Sequence, residues 1–392
     1  MSFEDEYNGY NSGDYEQQED EDPTLMGDYR YMFDEDGDSQ PMAAAEQLPE
    51  AMPLPVLSKT AEEIKKILDE LNGDLNEAQR EAAEAIYGPV IIIAGAGTGK
   101  TKTLTHRVAT MLLMGIHPAN IMLVTFTNKA AEEIRERIEK MVGENAQYIT
   151  AGTFHSTIFR NILKKYPESR YLRSIGVSME ECVNIDPDEA EKLVDDAISQ
   201  LSDEDKAQIE ENEWKRSHFE KEMSAARANA LDVNDYRASN SIGSDNEVLR
   251  RITATVWQAY NRLCREVNGI DFDDILLFAD KMLKAEPKIA EDLGERFKYI
   301  MLDEYQDTNK VQMGIMDSIA KIHKNICVVG DEKQSIYGFR EADIKIILSF
   351  KDRYNEAKTV NMNKNYRSYP EIIRYSNACA CLLYTSPSPR DS

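Results

Sequence analysis

Cysteine is scarce in this chain, with five in 392 residues, and none of Cys182, Cys264, Cys327, Cys379 and Cys381 falls in C-x-x-C spacing. That excludes a zinc ribbon and a disulfide framework, and it fits a reducing cytoplasm. No secretory h-region is seen and no apolar run approaches the ~18 residues of a membrane span, so no membrane partner is expected. Basic side chains are outnumbered, 46 Lys and Arg against 71 Asp and Glu, for a net charge of −25. This argues against a protein that coats nucleic acid by charge alone. The acidic excess is concentrated at one end: residues 1 to 50 hold sixteen acidic side chains and a single basic one, Arg30, leaving −10 for the other 342. A local basic groove is compatible with that remainder.

Residues 1 to 55 are acidic, carry Pro41, Pro49, Pro53 and Pro55, and show no apolar periodicity. They are expected to be disordered, with Tyr7, Tyr10, Tyr15, Tyr29 and Tyr31 read as part of a solvated tail. From Ala61 the pattern is globular. Apolar runs at Val90 to Ile93, Ile121 to Phe126, Tyr148 to Ala151, Tyr299 to Leu302 and Ile326 to Val329 have strand length and composition. Helical stretches separate most of them, as a parallel α/β sheet requires. From Phe159 to about Tyr260 the alternation stops, and this charged stretch with Trp214 and Trp257 reads as an α-helical insertion without a strand.

Ala94 to Thr101 reads AGAGTGKT, directly after one apolar run and before a helical stretch from Lys102 to Met114. A strand that delivers a Gly-rich turn to a helix N-terminus is what a nucleoside triphosphate needs, because the backbone N–H groups can approach its phosphates. Ala94, Gly95, Ala96, Gly97, Thr98, Gly99, Lys100, Thr101 and Lys102 are therefore candidate nucleotide-binding residues. Lys100 would reach the outer phosphates and Thr101 would hold Mg2+. The strict pattern opens on Gly, where this chain has Ala94. The second acidic signal is Leu302-Asp303-Glu304-Tyr305-Gln306-Asp307 at the end of another apolar run. Asp303 suits the second Mg2+ contact, and Glu304 suits orientation and deprotonation of an attacking water.

With those two motifs in place, the chain resembles a superfamily 1 DNA helicase of the UvrD/Rep/PcrA type. Leu75-Asn76-Glu77-Ala78-Gln79 resembles the Q motif; Thr125-Phe126-Thr127-Asn128-Lys129-Ala130-Ala131 resembles motif Ia; Gly152-Thr153-Phe154-His155-Ser156 resembles motif Ib. Asp271-Phe272-Asp273-Asp274-Ile275-Leu276 resembles the segment ahead of the acidic box. Gly330-Asp331-Glu332-Lys333-Gln334-Ser335-Ile336-Tyr337-Gly338-Phe339-Arg340 resembles motif III, and Asn365-Tyr366-Arg367-Ser368 resembles motif IV.

The resemblance implies an α/β fold: a RecA-like P-loop domain with a parallel sheet in two parts (60–158 and 261–345), an α-helical insertion (159–260), and the start of a second RecA-like domain (346–380). It implies ATP and Mg2+ as cofactors, and single-stranded DNA and duplex junctions, with repair or replication proteins, as partners. The implied activity is ATP-driven 3′ to 5′ movement on DNA; oligomeric state stays open. Gln79 would read adenine through its amide and Tyr366 would pack on the base. Arg367 would cross to the γ-phosphate, with Gln334 contacting that phosphate from the first domain. For DNA, Thr125, Phe126, Thr127, Asn128 and Lys129 suit backbone and base contacts. Tyr337 and Phe339, beside Arg340, suit stacking at ~1–3 kcal/mol per base, with a role as core aromatics the alternative. His155 is read either as a DNA contact or as a structural residue.

Two departures from the family pattern stand out. Arg340 is followed by Glu341 rather than Gly. The last dozen residues, 381–392, resemble a translated short-read sequencing adapter, so the chain is read as a fragment lacking the later motifs. A helicase-nuclease of the AddA/RecB kind shares every motif above, and a non-catalytic ATP- or DNA-binding module is the other reading.

Overall fold

The computed structural model describes residues 61–239, 243–331, 334 and 344–375. The acidic segment 1–55 and the ending 381–392 lie outside the described residues. Two helices lead in, α1 (Ala61–Leu71) and α2 (Glu77–Glu84), followed by β1 (Val90–Ala94), α3 (Lys100–Leu113), β2 (Ile121–Thr125), α4 (Asn128–Val142), β3 (Thr150–Thr153) and α5 (Phe154–Ile158). The helical insertion holds α6 (Arg170–Ser174), β4 (Val183–Asn184), α7 (Pro187–Ser199), α8 (Asp203–Glu211), α9 (Arg216–Ala228), α10 (Val233–Ala238) and α11 (Glu247–Glu266). The chain then returns to the sheet through β5 (Gly269–Ile270), α12 (Phe272–Ala285), α13 (Pro287–Arg296), β6 (Tyr299–Leu302), α14 (Lys310–Ala320), β7 (Ile326–Gly330), α15 (Ile344–Leu348), α16 (Phe350–Arg353) and β8 (Lys358–Met362).

The main sheet has the order β3-β2-β6-β7-β1-β8 and every pairing in it is parallel. Strands with helices on both faces must be apolar throughout, and β2 and β7 are buried at every position. Ile92, Ala94, Leu104, Val108, Leu123, Ile134, Met301, Val329 and Met362 share one core between the sheet and the helices α3 and α4. Each large aliphatic side chain buried there contributes about 1.5–3 kcal/mol relative to exposure. Helix starts follow local chemistry: Asn76 caps α2 in a reciprocal box with Gln79, and Thr127, Thr153 and Asp271 cap α4, α5 and α12. In contrast α3 begins after Gly99 at φ 88 with no side-chain cap, so its first N–H groups face the preceding loop without an internal acceptor.

The structure departs from the sequence reading in four places. The third strand starts at Thr150, because Tyr148 closes a short 3-10 turn, Glu144–Tyr148. Inside the insertion β4 pairs with β5, a two-residue strand too short to show any alternation. The insertion also runs past residue 260, since α11 continues to Glu266. Finally, the boundary drawn at residue 346 moves: β8 pairs with β1 from Val90↔Lys358 to Ala94↔Met362, so the chain through Met362 belongs to the first sheet. Its half-buried pattern, with Val360 and Met362 inward, is that of an edge strand.

Candidate nucleotide site and nucleic-acid edge

Parallel strands present their carboxyl ends along one edge, and loops there collect ligands. At that edge β1 hands the chain to residues 95–99 and then to α3. Ala94 is fully buried and paired with Met362, so the position where the strict pattern has Gly is still strand here and tolerates a methyl group. The turn itself depends on glycine. Gly97 and Gly99 have φ of 70 and 88, and a Cβ on Gly97 would lie 2.6 Å from the Cβ of Arg367. Thr98 is buried, its hydroxyl donating to the Gly95 carbonyl at 2.8 Å.

Two strands away, β6 ends in Asp303 and Glu304. The Lys100 ammonium lies 2.6 Å from the Glu304 carboxylate, which joins the loop to the acidic box. Glu304 holds φ 48 and ψ 46, a left-handed backbone rare for a side chain with Cβ, and it marks a strained turn at the proposed catalytic position. Burial, with Glu304 adjacent, pushes the Asp303 carboxyl up to about 6 against the opposing pull of Lys100. The Asp303 carboxylate and the Thr101 hydroxyl at the start of α3 are hard oxygen donors of the kind Mg2+ takes. Among the described residues no group of three or more His, Cys, Asp or Glu could hold a metal by itself.

Sequence reasoning missed Gln306. Its amide N–H groups donate to Glu304 at 2.8 Å and Asp307 at 3.3 Å, and its oxygen accepts from the Asp331 backbone N–H at 3.0 Å. Asp331 in turn accepts from the Gln334 side chain at 2.6 Å. Gln306 thus connects the acidic box to Gln334, and the only sequence signal was its fixed place between Tyr305 and Asp307. Lys102, expected at the nucleotide, instead turns away to Asp74, at 2.5 Å from the carboxylate.

The Q-motif and motif IV residues also converge on the loop. Gln79 is buried, accepts from the Asn76 backbone N–H at 3.1 Å and donates to the Thr98 carbonyl at 2.9 Å. Tyr366 donates its backbone N–H to the Gly97 carbonyl at 2.8 Å, and its exposed ring receives an Asn76 amide N–H at the hydroxyl, 2.7 Å away. Asn365 donates to the Ala96 carbonyl at 2.6 Å and accepts from the backbone of Arg367 and Ser368. The structure therefore brings Gln79, Lys100, Asp303, Glu304, Gln334, Tyr366 and Arg367 to a common region around one loop.

The other half of the edge carries the nucleic-acid candidates. Val124 pairs with Leu302 and with Gly152, so motifs Ia and Ib begin side by side beyond β2 and β3. Thr125 donates its hydroxyl to the Thr127 carbonyl at 2.8 Å and Thr127 caps α4, so both hydroxyls serve the turn. Lys129 is exposed and Phe126 half-buried on that turn, with Asn128 opening α4. His155 stacks on Phe272 with ring centroids 3.3 Å apart, and loss of hydration holds its imidazole well below the usual pKa, hence neutral near pH 7. Of the two readings of His155, as a DNA contact or as a structural residue, the stack on Phe272 gives the structural one a partner within the protein. Its partner Phe272 gave no signal beyond its place in the DFDD run. Tyr337, Phe339, Arg340 and Glu341 lie outside the described residues.

Comparison with known proteins identifies the family. Residues 75–355 match the family model described as the UvrD/REP helicase N-terminal domain. The ATP-dependent DNA helicase PcrA of Staphylococcus epidermidis is 37% identical over 305 residues, covering 78% of this chain and 39% of the relative. PcrA of Staphylococcus aureus is 36% identical over 312 residues, covering 79% of this chain and 40% of its own. The chain thus spans about two-fifths of the length of these relatives. The matched segment includes the glycine-rich loop, the acidic box and the turns after β2 and β3, and on that basis the chain belongs to the UvrD/REP helicase family through its N-terminal domain.

Proposed function

We propose that the protein is an ATP-dependent DNA helicase or translocase that moves 3′ to 5′ on single-stranded DNA, in repair or replication restart in the cytoplasm. The Lys100–Glu304 ion pair carries this reading, because it joins a phosphate-binding lysine to a carboxylate suited to activate water. In the reaction, incoming phosphates compete for Lys100 and release Glu304 to orient and deprotonate the attacking water. Gln334, linked to Glu304 through Asp331 and Gln306, reports on the γ-phosphate. Arg367 supplies positive charge to the transferred phosphoryl group. Bound Mg2+, on Thr101 and Asp303, would neutralise charge between the β- and γ-phosphates. Gln79 spends one N–H and one lone pair inside the protein, which leaves one of each for the N7 and N6 edge of adenine. On the DNA side, Phe126 and Lys129 with the Asn128 turn contact bases and phosphates.

The test is ATP hydrolysis by the purified chain with and without single-stranded DNA, together with binding of a fluorescent ATP analogue. The reading expects turnover that rises with DNA, and loss of both signals in Lys100→Ala. Nucleotide binding that survives Lys100→Ala would overturn it.

A further inference from the structure

Arg107 lies in the middle of α3, one of the largest fully buried side chains, and among the described residues no carboxylate pairs with it. Burying a guanidinium without a counter-charge is costly, so its position requires a compensating partner. That partner is the far end of α2. One Nη donates to the Ala82 carbonyl at 2.7 Å and the other to the Ile86 carbonyl at 3.4 Å, while Nε makes no bond. The carbonyls at a helix C-terminus have no intrahelical donors and lie at the negative end of the helix dipole. A cation from the P-loop helix therefore clasps the C-terminus of the Q-motif helix.

The opposite end of α2 holds two residues that reach the glycine-rich loop and the segment beside it. Asn76 caps it and reaches Tyr366, and Gln79 reaches the Thr98 carbonyl. A Cβ on Gly99 would lie only 2.7 Å from the Gln79 amide nitrogen, so the helix and the loop are in close register. An eight-residue helix is a rod of ~12 Å, and fixing one end determines where the other stands. A second tie, Glu81 to Lys358 at 2.9 Å, is half-exposed and weak by comparison.

We propose that Arg107 is a positioning residue for base selection: by holding the C-terminus of α2 to α3, it sets the Gln79 amide at the height of the adenine edge. The inference rests on the assignment of Gln79 to adenine made above. It predicts an effect on which base is bound and not on triphosphate binding in general, because the phosphates are held by the loop and α3.

The experiment measures, by displacement of a fluorescent ATP analogue from the full 392-residue chain, the affinities of ATP, GTP and inorganic tripolyphosphate. The proteins compared are wild type, Gln79→Ala, Arg107→Met and Arg107→Lys. The expected result is a preference of wild type for ATP over GTP that falls about tenfold in Gln79→Ala and Arg107→Met. Tripolyphosphate affinity should stay within about twofold, and Arg107→Lys, with a single ammonium nitrogen in place of a two-pronged fork, should fall between. Equal weakening of all three ligands would make Arg107 a plain stability residue and overturn the proposal. So would an unchanged base preference in a folded Arg107→Met protein, with Gln79→Ala losing its preference as the control. If Arg107→Met does not fold, full base preference in Arg107→Lys overturns it. A wild-type chain that does not distinguish ATP from GTP refutes the adenine assignment itself, and this proposal with it.

Discussion

Replacing Gly97 with alanine should detach the motif IV segment from the P-loop. The residue sits at φ 70, where a side chain with Cβ loses ~1–2 kcal/mol. The added methyl would also lie 2.6 Å from the Arg367 Cβ and 2.9 Å from the Asn365 amide. A Cβ is fixed to the backbone, so the segment itself must shift and cannot relieve the contact by rotating a side chain. Two hydrogen bonds then fail, Tyr366 N–H to the Gly97 carbonyl and Asn365 to the Ala96 carbonyl. At ~0.5–1.5 kcal/mol each, their loss should accelerate amide exchange in peptides spanning 364–369 by roughly 5- to 150-fold. Hydrogen–deuterium exchange by mass spectrometry reads this directly, with the buried strand β7 as the internal reference. Unchanged exchange at Tyr366 in a folded variant would refute the argument that glycine is required there for the close approach of the two segments.

Three further outcomes follow from packing and charge. Restoring the strict loop pattern with Ala94→Gly should lower stability by ~0.5–1 kcal/mol in urea, since the residue is strand, and leave nucleotide affinity unchanged. Arg227→Met should destabilise by ~3–5 kcal/mol, because the arginine bonds Asp271 at 2.7 Å and contacts Asp274, two buried carboxylates that would otherwise lie together without a cation, and it also reaches the half-buried Asp273. The Asp274 carboxyl is already raised to about 7 by burial and by Asp271, and Arg227→Met in the Asp273→Asn background should recover part of the loss. His155 titrates lower when folded than when unfolded, so the unfolded state binds more protons and stability falls as pH drops below ~6.5. Denaturation of wild type and His155→Asn at neutral and mildly acidic pH should therefore show a flatter profile in the variant, and parallel profiles would dismiss the histidine as the cause.

Where strands are buried on both faces the sequence announces them as short runs dominated by Val, Ile, Leu and Met; β1, β2, β6 and β7 were legible for that reason. Motif spacing likewise located the loop and the acidic box, while only the family resemblance pointed to residues 76–79 and 365–367, which the structure sets against that loop. Less visible were features that depend on partners far apart in the chain. The pattern of β8 matches any half-buried strand, and only pairing with Val90–Ala94 assigns it to this sheet. Phe272 and His155 are 117 positions apart, and stacking of that kind leaves no periodic trace. Lys102 appeared to belong to the phosphate turn by adjacency alone, although one helical step directs it to Asp74. Arg107 carries no signal of its own, since a lone basic residue in a sequence gives no sign of the carbonyls that bury it.

The sheet order also sets a length scale for communication. The Asp303 backbone N–H donates to the Val124 carbonyl at 2.9 Å, and Phe126 follows Val124 by two residues. Neighbouring strands lie ~4.8 Å apart, so the acidic box and the turn proposed to touch DNA are separated by a single interstrand step. A displacement of β6 along its axis would shear the same ladder that carries the Phe126 turn. The linkage is thus as stiff as a backbone hydrogen bond, and fuel and track would be read at adjacent rungs.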